Sequence, residues 1–244
     1  MVLAAVTAST PALAATLTVS SMANIFGAGH TGAAATPEPG GGGGGIAAPS
    51  FTFAAGPSQI VNFSSVTGSV SCCSGGATFN GPDGGTFATG TTDITSFGGI
   101  AGILHDNKTM FLVGVFTSDV EPAGAGPARQ HFSSAGGGGT TADSFFDIFV
   151  ELNQPFFVGD GLTGTGSGST QNFHVPAGAT HLYLGFADAF NFGDPTSAPG
   201  FYGDNVGELS ATFALRRVSG IPEPASLALV GLALTAMGWR RRRT

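Results

Sequence analysis

Two stretches near the C-terminus alternate apolar and polar residues with a period of two. Leu182, Leu184 and Phe186 share one face of His181–Phe186, and Leu209, Ala211, Phe213 and Leu215 share one face of Glu208–Leu215. Successive side chains of a strand point to opposite faces, so this pattern predicts strands with one side buried and the other wet. Shorter strands are expected at Gln59–Phe63, Phe111–Phe116, Phe145–Leu152 and Asn172–Val175, set apart by Gly, Pro, Asn and Asp. No part of the body sustains a 3.6-residue period. The expectation is an all-β fold, a single antiparallel β-sandwich or jelly roll over residues 15–219.

So glycine-rich a chain could instead be disordered. With 41 glycines it also has 42% hydrophobic residues and 21 Phe. Disordered chains are poor in aromatics, so the Phe content argues for a packed core. The six-glycine-rich stretch Gly40–Gly45, after Pro37-Glu38-Pro39, reads as a flexible surface loop. Charge is uneven: removing the segment from Glu223 onward leaves 4 basic and 14 acidic side chains, a net of about −10. A body this acidic repels phosphates, which argues against nucleic acid as a partner. The same charge tolerates a bound cation and keeps a protein soluble.

Cysteine occurs only as the neighbours Cys72 and Cys73. Adjacent residues cannot form an ordinary long-range bridge, and one such pair cannot build a metal site alone. Two inert thiols are the simplest state. A vicinal or intermolecular disulfide is the alternative in an oxidising compartment.

Both ends read as addresses. Val2-Leu3-Ala4-Ala5-Val6 has the character of a signal-peptide apolar region, and Ala12-Leu13-Ala14 that of an A-x-A cleavage site, giving a signal peptide over residues 1–14 cut before Ala15. No basic region precedes it, so the true start is expected upstream of Met1. At the other end, Pro222-Glu223-Pro224 is followed by an uncharged, mostly apolar run, residues 225–239, and then by Arg240-Arg241-Arg242-Arg243. The run suits a hydrophobic helix, shorter than the roughly 20 residues of an unaided membrane span. The arginines would hold its end on the cytoplasmic side. The two prolines fix an extended segment that a processing enzyme can grip.

This three-part end, residues 220–244, resembles the PEP-CTERM sorting signal of Gram-negative bacteria. The resemblance implies an exosortase as partner and cleavage near Pro222-Glu223-Pro224. It also implies transient inner-membrane anchoring, then delivery to the cell surface or an exopolysaccharide matrix.

Within the body, a strand is expected to end at Asp188. A Gly- and Pro-rich loop follows, and Phe201-Tyr202-Gly203-Asp204-Asn205-Val206-Gly207 leads into the next strand. Asp188, Asp204 and Asn205 would then stand at facing strand ends. Their oxygens suit a hard cation such as Ca²⁺, which takes six to eight oxygen ligands. With no His or Cys cluster nearby, zinc and copper do not suit the site. Asp-Asn beside Gly is also ordinary turn chemistry, and that reading stays open.

The segment is similar to the calcium-binding end of the PA-I type galactophilic bacterial lectins, small β-sandwiches that hold sugar hydroxyls on Ca²⁺. The resemblance implies side-chain ligands at Asp188, Asp204 and Asn205, with backbone carbonyl ligands at Phe201 and near Cys73. Tyr202, and Asp83 in Gly81-Pro82-Asp83-Gly84, become candidate ligand contacts, although the family's own sugar-contacting His and Gln have no clear counterpart there. A saccharide or exopolysaccharide is the implied partner. A structural matrix protein of the same fold is the alternative.

Signals for catalysis are weak, and no enzyme is expected. Gly159-Asp160-Gly161-Leu162-Thr163-Gly164 matches a dinucleotide fingerprint but precedes more Gly and Ser rather than a helix. His105-Asp106-Asn107-Lys108 reads as a turn, and there is neither a G-x-S-x-G elbow nor an H-E-x-x-H pair.

Overall fold

A computed structural model of the chain describes residues 12–73, 78–86, 90–193 and 197–218. Over these residues the fold is β throughout, with three short 3₁₀ turns as its only helical elements. The long Val206–Arg217 strand lies between Leu13–Ser20 and Gln59–Ser71, antiparallel to both. The sheet continues through Asn172–His174 to an edge strand, Asp147–Phe149. A second sheet runs Phe156–Phe157, Val113–Thr117, His181–Gly185 and Ser50–Thr52, antiparallel at every step. A third joins Thr141–Ala142, Gln130–Ser133, Ile103–His105 and Thr92–Ile94.

The alternation in sequence becomes the inner faces of the first two sheets. Leu182, Leu184 and Phe186 are buried, as are Leu209, Ala211, Phe213 and Leu215. Aromatic rings join the sheets: Phe51 meets Phe213 edge-on at 5.4 Å, and Phe156 lies 5.5 Å from Phe173. Phe63 touches both Phe173 and Phe213 at 5.3 Å. Such pairs add about 0.5–1.5 kcal/mol each beyond the area they bury. This is where the unusual Phe content goes.

The expectation of purely antiparallel pairing needs correction. Asp147–Phe149 runs parallel to Asn172–His174, and in the third sheet Gln130–Ser133 runs parallel to both its neighbours. Long connections, residues 150–171 and 106–129, let the chain re-enter a sheet in the same direction for two of these pairs, which a tight hairpin cannot do; the third pair is joined by the shorter segment 134–140. The Phe145–Leu152 segment supplies only three strand residues. The Gln59 strand, by contrast, extends to Ser71.

At the N-terminus the first strand begins at Leu13, and Leu13 and Ala14 face Leu215 and Ala214. A cut before Ala15 would leave the pairing from Ala15 to Ser20 in place. Residues 1–11 lie outside the described residues. So do the proposed C-terminal helix, Pro222, Glu223, Pro224 and Arg240 to Arg243. Among the described residues no helix is long and apolar enough to cross a membrane.

Two local expectations change. Cys72 and Cys73 are joined to each other in a vicinal disulfide rather than held as two thiols. The strand ends at Ser71 and Cys73 takes a left-handed backbone, φ 65°. The Gly40–Gly45 segment is not a free loop but is docked on residues 199–203. Gly40 N–H donates to Pro199 O, Phe201 N–H to Gly41 O and Tyr202 N–H to Gly43 O, all within 3.0 Å. The buried Asn24 side chain ties the segment down by donating to Pro37 O and Gly44 O. At Gly45, with φ +69°, an added Cβ would run into the Met22 carbonyl oxygen and come within 2.6 Å of Tyr202 Cβ. Absence of a side chain is here what permits packing.

Candidate functional site

The His181–Gly185 strand delivers Phe186 and then Asp188 to one end of the second sheet. The Val206–Arg217 strand starts beside it, with Asn205 just before its first residue. Asp188 and Asn205 meet there: the Asn205 amide donates to Asp188 Oδ2 at 2.6 Å and to Ser21 O at 3.1 Å. The other carboxylate oxygen accepts the Ala189 N–H at 2.7 Å. Tyr202 closes the base, its hydroxyl donating to Phe186 O and accepting the Asp188 N–H. The loop returns to the site where Gly200 N–H donates to Asp188 O.

Asp188 is 1% exposed, and among the described residues no Lys, Arg or His forms an ion pair with it. Burial pushes its pKa well above the ordinary carboxylate value. The Asn205 and Ala189 hydrogen bonds oppose the shift, and the nearby Asp204 charge adds to it. The Tyr202 hydroxyl is likewise pushed up, first by burial and then by Asp188. Two polar atoms are buried without a hydrogen-bond partner here, Asn205 Oδ1 and Ser21 Oγ. The site thus combines a buried carboxyl, a spare amide oxygen and a second carboxyl in its field.

Of the residues expected together, Asp188 and Asn205 are hydrogen-bonded and the Asp204 charge acts on Asp188, while no group of three or more His, Cys, Asp or Glu among the described residues is placed to hold a metal ion. Phe201 precedes Asp204 and Asn205 in a left-handed conformation, φ 65°. Its ring packs 4.9 Å from that of Phe190. Cys73 lies at the same end of its sheet as Asn205, because Ser71 pairs with Val206. Tyr202 must be corrected: it is fully buried and cannot stack on a ligand in solvent. Phe190, 78% exposed, is the aromatic that faces outward beside the site. Sequence reading missed it, although its position two residues beyond Asp188 was the available signal; the strand expected to end at Asp188 in fact ends at Gly185.

Asp83 belongs elsewhere. Its Oδ1 accepts the Asp160 N–H at 3.0 Å, and it lines a cavity of about 310 Å³ with Lys108, Asp143 and Thr165. Lys108 Nζ lies 2.7 Å from Asp143 Oδ2 and 5.1 Å from the centre of the Phe157 ring. The buried His105 Nε2 stands 3.4 Å from the same carboxylate oxygen. What reads in sequence as a turn, His105 to Lys108, therefore supplies two groups to a polar cluster. Asp160, inside the fingerprint-like glycine segment, accepts the backbone N–H groups of Leu162 and Gly166 and so shapes the cavity wall.

Comparison with known proteins bears on the C-terminus. The PEP-CTERM protein-sorting motif is matched over residues 220–243. The motif implies export and sorting to the cell surface, with an exosortase as the processing partner. No curated protein and no solved structure matches the chain.

Proposed function

We propose that this exosortase-sorted surface protein is a binding module whose β-sandwich body holds Ca²⁺ at Asp188, Asp204 and Asn205, and through the ion a saccharide. The observation that carries the reading is the Asp188 carboxyl, buried beside a partnerless amide oxygen with only another carboxyl in its electrostatic field. Burying an unpaired carboxylate is costly, and such a group either keeps its proton or acquires a cation. Each carboxylate oxygen retains acceptor capacity after one hydrogen bond, so the existing bonds do not exhaust the donor set. Asp188, Asn205 Oδ1, the partly exposed Asp204 and the Phe201 carbonyl would provide the hard oxygen ligands that Ca²⁺ prefers. Bound, the ion would neutralise the two carboxylates and offer open positions to vicinal sugar hydroxyls, with Phe190 as an apolar neighbour. The role is binding, not catalysis, in a surface or exopolysaccharide matrix outside a Gram-negative cell.

Calorimetric titration of Ca²⁺ into the full-length chain tests this. Saturable heat that Asp188→Asn abolishes supports the ion site, and retention on a polysaccharide resin in Ca²⁺ but not in chelator supports the sugar. An absence of heat with an unchanged melting temperature would leave the second reading, a structural surface protein in which Asp188 keeps its proton.

A further inference from the structure

The cavity containing Asp83 is separate from the Asp188 cluster, and its chemistry points to a different ligand. Three features define it. First, charge is already balanced across much of it: Lys108 Nζ sits 2.7 Å from Asp143 Oδ2, with His105 behind and the Ser134 hydroxyl donating to the same oxygen at 3.2 Å. An ammonium therefore stands where a divalent cation would have to bind, and Asp83 beside it repels an anion. Second, hydroxyl groups border the space, Ser144, Thr163 and Thr165 among them, and the half-buried Leu162 side chain supplies an apolar patch. Third, the size of about 310 Å³ lies at the small end of ligand pockets, roughly 300–1,000 Å³.

We propose that this cavity binds one neutral polyhydroxylated ring, a sugar unit or cyclic polyol, by hydrogen bonds and without a metal ion. Such a ring presents donors and acceptors on its rim and C–H groups on its faces, which matches a wall of carboxyls, hydroxyls and one aliphatic side chain, Leu162. Both carboxyls offer acceptor oxygens to ligand hydroxyls. Burial raises the pKa of Asp83, opposed by the Asp160 N–H and by Lys108. For Asp143 burial acts in the same direction, but His105 and Lys108 outweigh it and hold the group at about 2, an acceptor at every physiological pH. The Asp160 loop fixes the wall bearing Thr163 and Thr165, and the Asp160 N–H holds Asp83 in place.

The test uses the full-length chain in EDTA, so that its outcome is independent of calcium at Asp188. D-Glucose, D-galactose and myo-inositol are each titrated while the backbone amide signals of Ser144, Thr163 and Gly164 are followed by NMR. Saturable shifts with at least one of the three are expected. Asp83→Asn should weaken binding about tenfold, since an unsatisfied buried partner costs about 1–3 kcal/mol. Ser144→Phe, at an exposed position on the rim, should abolish binding by filling the mouth even if the Asp83 variant fails to fold. Asp188→Asn should leave the shifts unchanged. The proposal is overturned if none of the three ligands shifts these signals, if Ser144→Phe binds as well as the parent, or if inorganic phosphate produces the same shifts.

Discussion

Asn205 spends both amide hydrogens on oxygen atoms that lie far from it in sequence, Asp188 Oδ2 at 2.6 Å and Ser21 O at 3.1 Å. The amide thereby clamps three chain segments at one end of the two sheets. Its own oxygen is left inside without a partner. A group that stabilises the fold through its nitrogen thus keeps its oxygen free for something else.

Asp188 gives the first prediction, and the sign follows from the direction of its shift. A carboxyl whose pKa is raised by folding binds its proton more tightly in the native state, so stability falls as pH rises from about 3.8 through the elevated value. In chelator, melting temperature should decline over that range, and Asp188→Asn should flatten the decline. With Ca²⁺ at a hundred times its dissociation constant, the parent should gain about 2.7 kcal/mol at neutral pH, and the variant nothing.

Asp143 should behave in the opposite sense. Its pKa is lowered to about 2, so its contribution is present above the ordinary value and is lost as pH falls towards 2. Asp143→Ala would strip Lys108 and His105 of their shared partner and should cost about 3 kcal/mol at pH 7, the scale for breaking a largely buried ion pair. Denaturant unfolding of parent and variant at neutral and acid pH would check both points, with the difference between them shrinking in acid.

Gly45→Ala should destabilise the fold by more than about 1 kcal/mol, because the backbone there is left-handed and the added Cβ meets the Met22 carbonyl. The same substitution should weaken any ion binding at Asp188, since Gly45 packs on Tyr202, which holds the Asp188 backbone. Gly41→Ala, also left-handed but with open space around it, should cost less. Thermal melts of the two variants, side by side, separate backbone strain from steric overlap.

Phe213→Ala should cost about 3–5 kcal/mol and lower the denaturation midpoint without changing the slope. Phe213 is fully buried and touches Phe51 on one sheet and Phe63 on its own. Chevron kinetics would show whether that contact forms before or after the rate-limiting step.

The sequence was legible where local rules govern. Period-two alternation located the inner faces around Leu184 and Phe213, because one buried face imposes that pattern whatever the partner strand is. The approach of Asp188 to Asn205 was legible from two neighbouring strands, although the first stops at Gly185, short of Asp188. Other features depend on contacts that no local pattern records. Gly40–Gly45 reads as slack chain until the surface of residues 199–203 is laid against it. Tyr202 looks like an exposed loop aromatic, yet it is covered completely by that same glycine segment and the strand ends around it. His105 and Lys108 gain their meaning from Asp143, on a segment that only the third sheet brings near.

The place of Val206–Arg217 has a mechanical consequence. This strand leads in sequence towards the sorting motif and is paired on one side with Gln59–Ser71 from Val206 to Arg217 and on the other with Leu13–Ser20 from Glu208 to Leu215. Inter-strand bonds lie across the strand direction. A pull on the C-terminal tether would therefore load those two ladders in shear, many rungs at once, instead of unzipping them one by one. A body fastened to a cell by that end would resist drag through the best-bonded strand it has.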